Sequence, residues 1–372
     1  MELKPEQQFV LYFLRASLGY DNWENLSRLL SSSFNCEKVS DLIRYHGIGP
    51  ILYRAFSENQ QINLPPKLKQ TLEQEYISNS ALSLFHGKAL KEIVTHLQHN
   101  GLPFVVHKGL GIAALLYPDP ILRPSGGDFD LFIKKEDYPR AKSLLKEIGY
   151  HLLQPEYEQY EINYVQEVKL VKPTTGKDIL IELHLEFNAH PWIKVSGFAL
   201  SGFWEKLISV KYSDYYIPCL PLEPNLFFLI LHCAVNHNFD RLILFCDLDL
   251  FIRKYNSVLD WEYIANYSCQ NHCQKAVFFT LTYCQKLLNT PLPDFLLKKL
   301  NSGKMSNLLL PTRLLLLKGK SKPKSLKNYL LKKYMHILLL DNPFLFYKSL
   351  ALFLRWNYFA YRIKRKTGRR FF

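Results

Sequence analysis

Asp128 and Asp130, in Gly126-Gly-Asp-Phe-Asp-Leu-Phe-Ile133, are the residues whose type and spacing point most directly to chemistry. The run from Asp128 to Lys134 reads as a strand. Side chains at i and i+2 then leave one face, roughly 6.5–7 Å apart, while Phe129, Leu131 and Ile133 pack behind. Two carboxylates at that distance repel by about 2–3 kcal/mol at an effective dielectric near 20, so a fold keeps them out of water only with a cation beside them. Magnesium suits the role, because it takes oxygen ligands and typically uses one or two carboxylates plus substrate phosphates. A third carboxylate on a neighbouring strand would complete a two-metal site, and Glu182, within the strand pattern Ile179–Phe187, is placed to supply it. Gly126 and Gly127 let the preceding loop approach the site closely. Asp247-Leu-Asp249 has the same spacing but falls in a helical pattern, where i and i+2 do not face each other, so it is not expected to be a metal pair.

Upstream, Val106-His-Lys108-Gly109-Leu reads as a strand ending in a glycine turn before a helix. Helix N-termini offer free N–H groups to phosphates, Gly109 permits close approach, and Lys108 and Arg123 are suited to triphosphate oxygens, Arg123 with bidentate geometry. His184 shares a face with Glu182, which fits support of the metal, acid–base work on an acceptor, or a purely structural place. His232 and His237, with Asp240 and Arg241, end a helical run; they either line the cleft and contact base or acceptor, or serve as helix-cap and interhelix hydrogen bonds. Cys269-Gln-Asn-His272-Cys273 has no second ligand pair at a spacing that structural zinc requires. Gly319-Lys-Ser is not a phosphate loop, because Leu314 stands where that motif needs glycine.

These residues need particular elements to hold them. Residues 1–100 are helical in pattern, with a long helix expected at 69–99. Strand, helix, strand and helix follow from Phe104 to Ile148. A hairpin is expected from Tyr160–Val171 and Ile179–Phe187, joined by Lys172-Pro-Thr-Thr-Gly-Lys177. From Glu223 to Leu288 the pattern is helical again. The expectation is an α+β fold with a small mixed sheet as its core at 101–215, flanked by helical regions at 1–100 and 216–317 and followed by a basic helical tail at 318–372.

Composition narrows the class. The 372 residues are 48% apolar and 22% charged, a globular balance. The net charge of +14 sits in the tail: from Lys318 onward there are 15 basic residues and one acidic residue, Asp341, leaving 32 of each sign in the rest. The body therefore carries no broad polyanion-binding signature. Within 343–370, Lys348, Arg355, Arg362 and Arg369 recur every seven residues beside a wide aromatic face. That pattern fits packing on the chain's own helices, a peripheral membrane or protein contact, or nucleic acid. Seven scattered cysteines and no secretory pattern at Met1-Glu-Leu-Lys fit reduced thiols in a cytoplasmic protein.

In order, the strand, glycine turn, helix, Asp-x-Asp strand and carboxylate strand resemble the DNA polymerase β-type nucleotidyltransferase superfamily. More closely, His107-Lys-Gly-Leu, Tyr117-Pro-Asp-Pro, Arg123-Pro, Asp128-Phe-Asp-Leu-Phe-Ile and Glu182-Leu-His184 are similar to the bacterial uncharacterised nucleotidyltransferase family. His46-Gly-Ile-Gly-Pro-Ile-Leu-Tyr before them, and His232, His237, Arg241-Leu, Asp247-Leu and Asp260-Trp261 after them, extend the likeness over roughly residues 5–295. The resemblance implies an enzyme that transfers a nucleoside monophosphate from an NTP, with ATP the expected donor, and releases pyrophosphate. It implies two magnesium ions on Asp128 and Asp130, with Glu182 holding the catalytic one. Nucleotide contacts are expected from Lys108, Gly109, Arg123, Gly126, Gly127, His184, His232 and His237. One departure is Leu110, where the superfamily usually places Ser after the turn glycine; either Lys108 substitutes as a charged contact or the triphosphate binds differently. The acceptor stays open among small molecule, glycan, protein and RNA. The alternative is a catalytically silent binding or regulatory module, docked to a partner or membrane surface through its tail.

Overall fold

The computed structural model describes residues 3–30, 34–59, 62–186, 203–301, Leu339 and Asp341. The expected basic helix at 343–370 lies outside them, as does Phe187 at the end of an expected strand. Among the described residues, no helix is long and apolar enough to cross a membrane.

Helices α1 (Pro5–Ser17), α2 (Trp23–Leu30), α3 (Cys36–His46) and α4 (Gly49–Glu58) open the chain. Their ends follow local chemistry. The Asn35 side chain accepts from the N–H groups of Glu37 and Lys38 and starts α3. Gly47, at φ 66, ends it in the left-handed conformation that glycine adopts without strain. Helix α5 (Pro66–His99) has 34 residues, about 51 Å at 1.5 Å each, long enough to belong to two cores. Its first turns bury Leu68 and Leu72 among the helices. Its last turns bury Ala89, Leu90, Ile93, Val94 and Leu97 beneath the sheet.

The sheet holds five strands in the order β1-β2-β5-β4-β3. They are β1 (Phe104–Val106), β2 (Asp128–Ile133), β3 (His151–Leu152), β4 (Glu167–Lys172) and β5 (Ile179–His184). Strand β2 runs antiparallel to β1 and parallel to β5, and β4 runs antiparallel to β5. Helix α6 (Gly109–Leu116) links β1 to the loop before β2, and α7 (Tyr138–Glu147) covers the apolar face beside α5. A second sheet, β6 (Ile208–Tyr212) with β7 (Tyr215–Cys219), is a tight hairpin. Beyond it, α9 (Leu222–Leu231), α10 (Leu242–Tyr255), α11 (Trp261–Gln270), α12 (Gln274–Leu288) and α13 (Asp294–Leu300) share one core with α1 to α4. The α+β class and the small mixed sheet flanked by helices stand as the sequence predicts.

One expected strand starts late. Residues Glu158–Tyr160 form a one-turn helix, α8, and Glu161–Val165 a π-turn, which Gln166 ends at φ 61. Tyr160 and Glu161 are buried there, and strand pairing begins only at Glu167. The alternation of Ile162 and Tyr164 with polar residues fits a strand locally; burial of two successive side chains, 160 and 161, does not.

Candidate active site

Register sets the site. Across the parallel pair β2 and β5, Asp130 stands beside Glu182, Asp128 beside Leu180 and Phe132 beside His184. Across β4 and β5, Lys169 stands beside Glu182 and Glu167 beside His184. Paired residues in a sheet share a face, so Asp128, Asp130, Glu182, His184, Glu167 and Lys169 all lie on one side. Phe129, Leu131, Ile181, Leu183, Val168 and Leu170 fill the core on the other. The same alternation that makes the strands puts these six side chains on one face; Lys172, at the end of β4, lies on the other and pairs with Glu92 of α5.

Asp130 is the centre of this face and is only 8% exposed. Its Oδ1 pairs with the Lys108 ammonium and lies 3.0 Å from His184 Nε2. Burial alone would push the Asp130 carboxyl up, but Lys108 and the hydrogen bond with His184 prevail and hold it well below the usual carboxylate range. Burial likewise opposes the Lys108 charge, and Asp130 raises it above the ordinary lysine value. Lys108 sits at φ 107, ψ −172, a backbone region essentially confined to glycine. The ring of His107 packs edge-on against His184 at 4.8 Å and against Phe228 at 4.6 Å. Burial, and then His184, push the His107 imidazole well below its ordinary value.

Glu182 carries its own cation, Lys169, at 2.8 Å. Lys169 also reaches Glu167 at 3.4 Å, and Glu167 lies 3.6 Å from His184 Nδ1. Burial raises the Glu182 carboxyl, Glu167 and Asp130 raise it further, and Lys169 offsets part of this. Asp128 is half-buried, and burial followed by Asp130 raises its carboxyl. Its Oδ1 would lie 3.1 Å from a Cβ added at Gly126, so a side chain there would press on this carboxylate.

The loop before β2 is pinned from two sides. On α5, the Asn79 side chain accepts from the Ser125 N–H and donates to the Ile121 carbonyl, and His86 hydrogen-bonds the Ser125 hydroxyl. From α10, Asp247 takes Arg123 in a bidentate pair, Nε on Oδ1 and Nη2 on Oδ2, each at 2.9 Å, and the Tyr117 hydroxyl donates to it at 2.8 Å. Arg123 Nη1 faces the carbonyls of Gly109 and Pro124. Asp249, two residues on, pairs instead with Arg253, Tyr20 and Thr290, so the two α10 carboxylates serve separate networks. At Gly109, φ is 49 and an added Cβ meets only open space; at Gly111 it would lie 2.7 Å from the Val106 carbonyl oxygen. Close helix–strand packing therefore belongs to Gly111. Gly127 lies near Lys177.

His232 begins a π-turn, His232–Asn236, a feature frequent at functional sites. Its ring stacks on Phe228 at 6.0 Å and meets His237 edge-on at 4.6 Å. Lys108 Nζ lies 5.7 Å from the same Phe228 ring. Burial, and then Lys108, push the His232 imidazole well below its ordinary value. His237 Nδ1 lies 3.3 Å from Asp240, which accepts from Tyr45.

The structure thus brings Lys108, Asp130, Glu182 and His184 together, with His232 next to them through Phe228. Among the described residues, two groups offer metal ligands within 4.8 Å of one another: His107, Asp130 and His184, and Glu167, Glu182 and His184. Asp128 shares the face but belongs to neither group. The sequence alone assigns no role to Glu167, Lys169 or His107. The charged–apolar alternation of Glu167-Val-Lys-Leu170 is the signal for the first two, once the strand is started at Glu167.

A glycine turn, a helix and a mixed sheet with its carboxylates on the face away from the apolar core define a nucleotidyltransferase-type core with helical flanks. Residues 32–289 match the model of the family described as Uncharacterised nucleotidyltransferase, and the chain belongs to that family. Nucleotidyl transfer is the reaction class that the family name carries. No curated protein matches the chain.

Proposed function

We propose that the protein is a metal-dependent nucleotidyltransferase that moves a nucleoside monophosphate from an NTP, ATP in the first instance, to an acceptor and releases pyrophosphate. The observation that carries this reading is the pairing of Asp130 with Glu182 on adjacent parallel strands, beside the turn that holds Lys108. Each carboxylate already has an ammonium on it, Lys108 or Lys169. These are positive charges on a set of oxygen donors, which is what divalent cations also seek. Asp128, Asp130 and Glu182 would hold magnesium, two ions in the full arrangement. The ions would supply charge neutralisation at the transferring phosphoryl group and its leaving pyrophosphate.

The chain's own groups do the rest. Lys108, freed from Asp130, reaches triphosphate oxygens; the open space at Gly109 leaves room for them. Asp247 holds Arg123 with its Nη1 toward the turn, so Arg123 orients the Gly109 carbonyl and adds positive potential there. His232, His237 and Phe228 form the wall against which a base or acceptor packs. The acceptor class remains open among small molecule, glycan, protein and RNA.

Purified protein incubated with a lysate fraction and NTP labelled at either the α- or the γ-phosphate tests the reading. Label transfer from the α-position alone supports it; transfer from the γ-position, or from neither with any of the four NTPs, refutes it. A catalytically silent module is favoured by one observation, the neutralisation of both carboxylates by lysines. It predicts no metal-dependent NTP binding by calorimetry.

A further inference from the structure

Asp130 has a nitrogen neighbour as well as oxygen ones. His184 Nε2 lies 3.0 Å from Asp130 Oδ1, and the ligand atoms of His107, Asp130 and His184 all fall within 4.8 Å of one another. A first-row divalent ion bound at 2.0–2.2 Å to each would set these atoms about 3–4.4 Å apart, so small side-chain shifts close the group around an ion. The far side of His184 is occupied as well: Glu167 Oε2 lies 3.6 Å from its Nδ1. Closing that gap to hydrogen-bond distance would put a carboxylate on one ring nitrogen with the other facing the ion, the arrangement that fixes the tautomer and orientation of metal-bound histidines. The Lys108 ammonium meanwhile rests on Asp130 Oδ1, the oxygen that faces His184, and so acts as a stand-in cation.

We propose that His107, Asp130 and His184 form a nitrogen-containing site for a borderline transition cation of the Mn2+ to Zn2+ series, with Glu167 as the positioning residue for His184. This rests on the active-site reading for its place in the reaction and departs from it in one point: the ion at Asp130 is a transition cation in place of one of the two magnesium ions. Two imidazoles and one carboxylate are donors suited to such ions, whereas Mg2+ prefers an octahedron of oxygens. Removing His184 therefore weakens the transition ion far more than Mg2+. Lys108 competes for the same oxygen, so its removal strengthens binding.

The test uses the full chain, stripped of metal and without nucleotide, titrated with Co2+ by visible absorption and with Mg2+ by calorimetry. His184→Ala is expected to weaken Co2+ by about 100-fold or more and Mg2+ by less than about 3-fold. Glu167→Gln is expected to weaken Co2+ by about 10-fold, the lower end for a residue that orients a ligand, and Lys108→Met to tighten it. His184→Gln, closer in size, serves as the second variant should alanine not fold. Equal losses for both ions, or an unchanged Co2+ titration in whichever His184 variant folds, overturn the proposal. Because no nucleotide is present, the outcome separates from that of the functional reading. Absent NTP turnover with a His184-dependent Co2+ site removes only the reaction, and turnover with a His184-independent metal removes only this site.

Discussion

Lys108 holds a backbone conformation that belongs to glycine and uses it to set its ammonium on Asp130. Left-handed and extended positive-φ conformations cost non-glycine residues on the order of 1–3 kcal/mol and persist where the surroundings over-determine them. Here the surroundings are Asp130, the edge of the β2 strand and the Phe228 ring. Two substitutions separate strain from charge. Lys108→Ala keeps the strain and strands Asp130, so it is expected to cost about 3–5 kcal/mol. Lys108→Gly strands Asp130 but releases the strain, and should unfold later in urea than Lys108→Ala by on the order of 1–2 kcal/mol. Equal stability of the two variants would show that no strain is stored at this turn.

The pair of Arg123 and Asp247 ties the loop before β2 to α10 through a fork that is almost entirely buried. Removing one partner leaves the other charged and buried, at about 3–5 kcal/mol. Arg123→Met and Asp247→Leu should each destabilise by that order, and the double variant by less than their sum. A double-mutant cycle from chemical denaturation measures the coupling. Strict additivity would mean that the two residues stabilise the fold independently.

Gly111 and Gly109 make opposite demands. Gly111→Ala drives a Cβ to 2.7 Å from the Val106 carbonyl oxygen, which is backbone and cannot step aside cheaply. It should destabilise by about 1–3 kcal/mol and disturb the β1–α6 turn. Gly109→Ala meets open space and costs only the left-handed backbone, about 1–2 kcal/mol, so its chief expected effect is on nucleotide affinity. Thermal unfolding beside NTP calorimetry distinguishes the two glycines.

Glu161 gives the fold a pH dependence of its own. Burial lifts its carboxyl to about 7, with Lys169 opposing and Glu167 adding to the rise. An acid whose folded value lies above its unfolded one binds more protons when folded, so stability falls as pH rises from about 4.5 to 7 and then levels. The loss is on the order of 1–3 kcal/mol. Glu161→Gln should flatten this part of the stability profile measured by urea titration at several pH values; an unchanged slope would place its cause elsewhere.

The fold's frame is legible in the residues because periodicity reports on burial. β1, β2, β5, α5 and α6 fall where alternation or helical spacing places them, within a few residues. The site face is legible for the same reason: Asp128, Asp130, Glu182 and His184 share it through strand alternation and register. What periodicity cannot show is partner choice. Nothing local says that Arg123 turns to Asp247 across 124 residues, that Lys108 folds back on Asp130, or that Lys169 stands on Glu182. The π-turn at Glu161–Val165 hid Glu167, since a strand begun at Tyr160 dilutes the charged alternation of β4. The β6–β7 hairpin carries its own signal, alternation on both sides of Ser213-Asp214, but a Pro at 218 and the short strands obscure it.

The central claim is that the carboxylate face of β2 and β5 drives the chemistry. Pyrophosphate release from each NTP, followed with a divalent cation for wild type and for Asp128→Asn with Asp130→Asn, tests it most directly. The account predicts release by the wild type and a loss of at least about 100- to 1,000-fold in the double variant, whose circular dichroism spectrum remains native. Release at the wild-type rate by the folded double variant would contradict it.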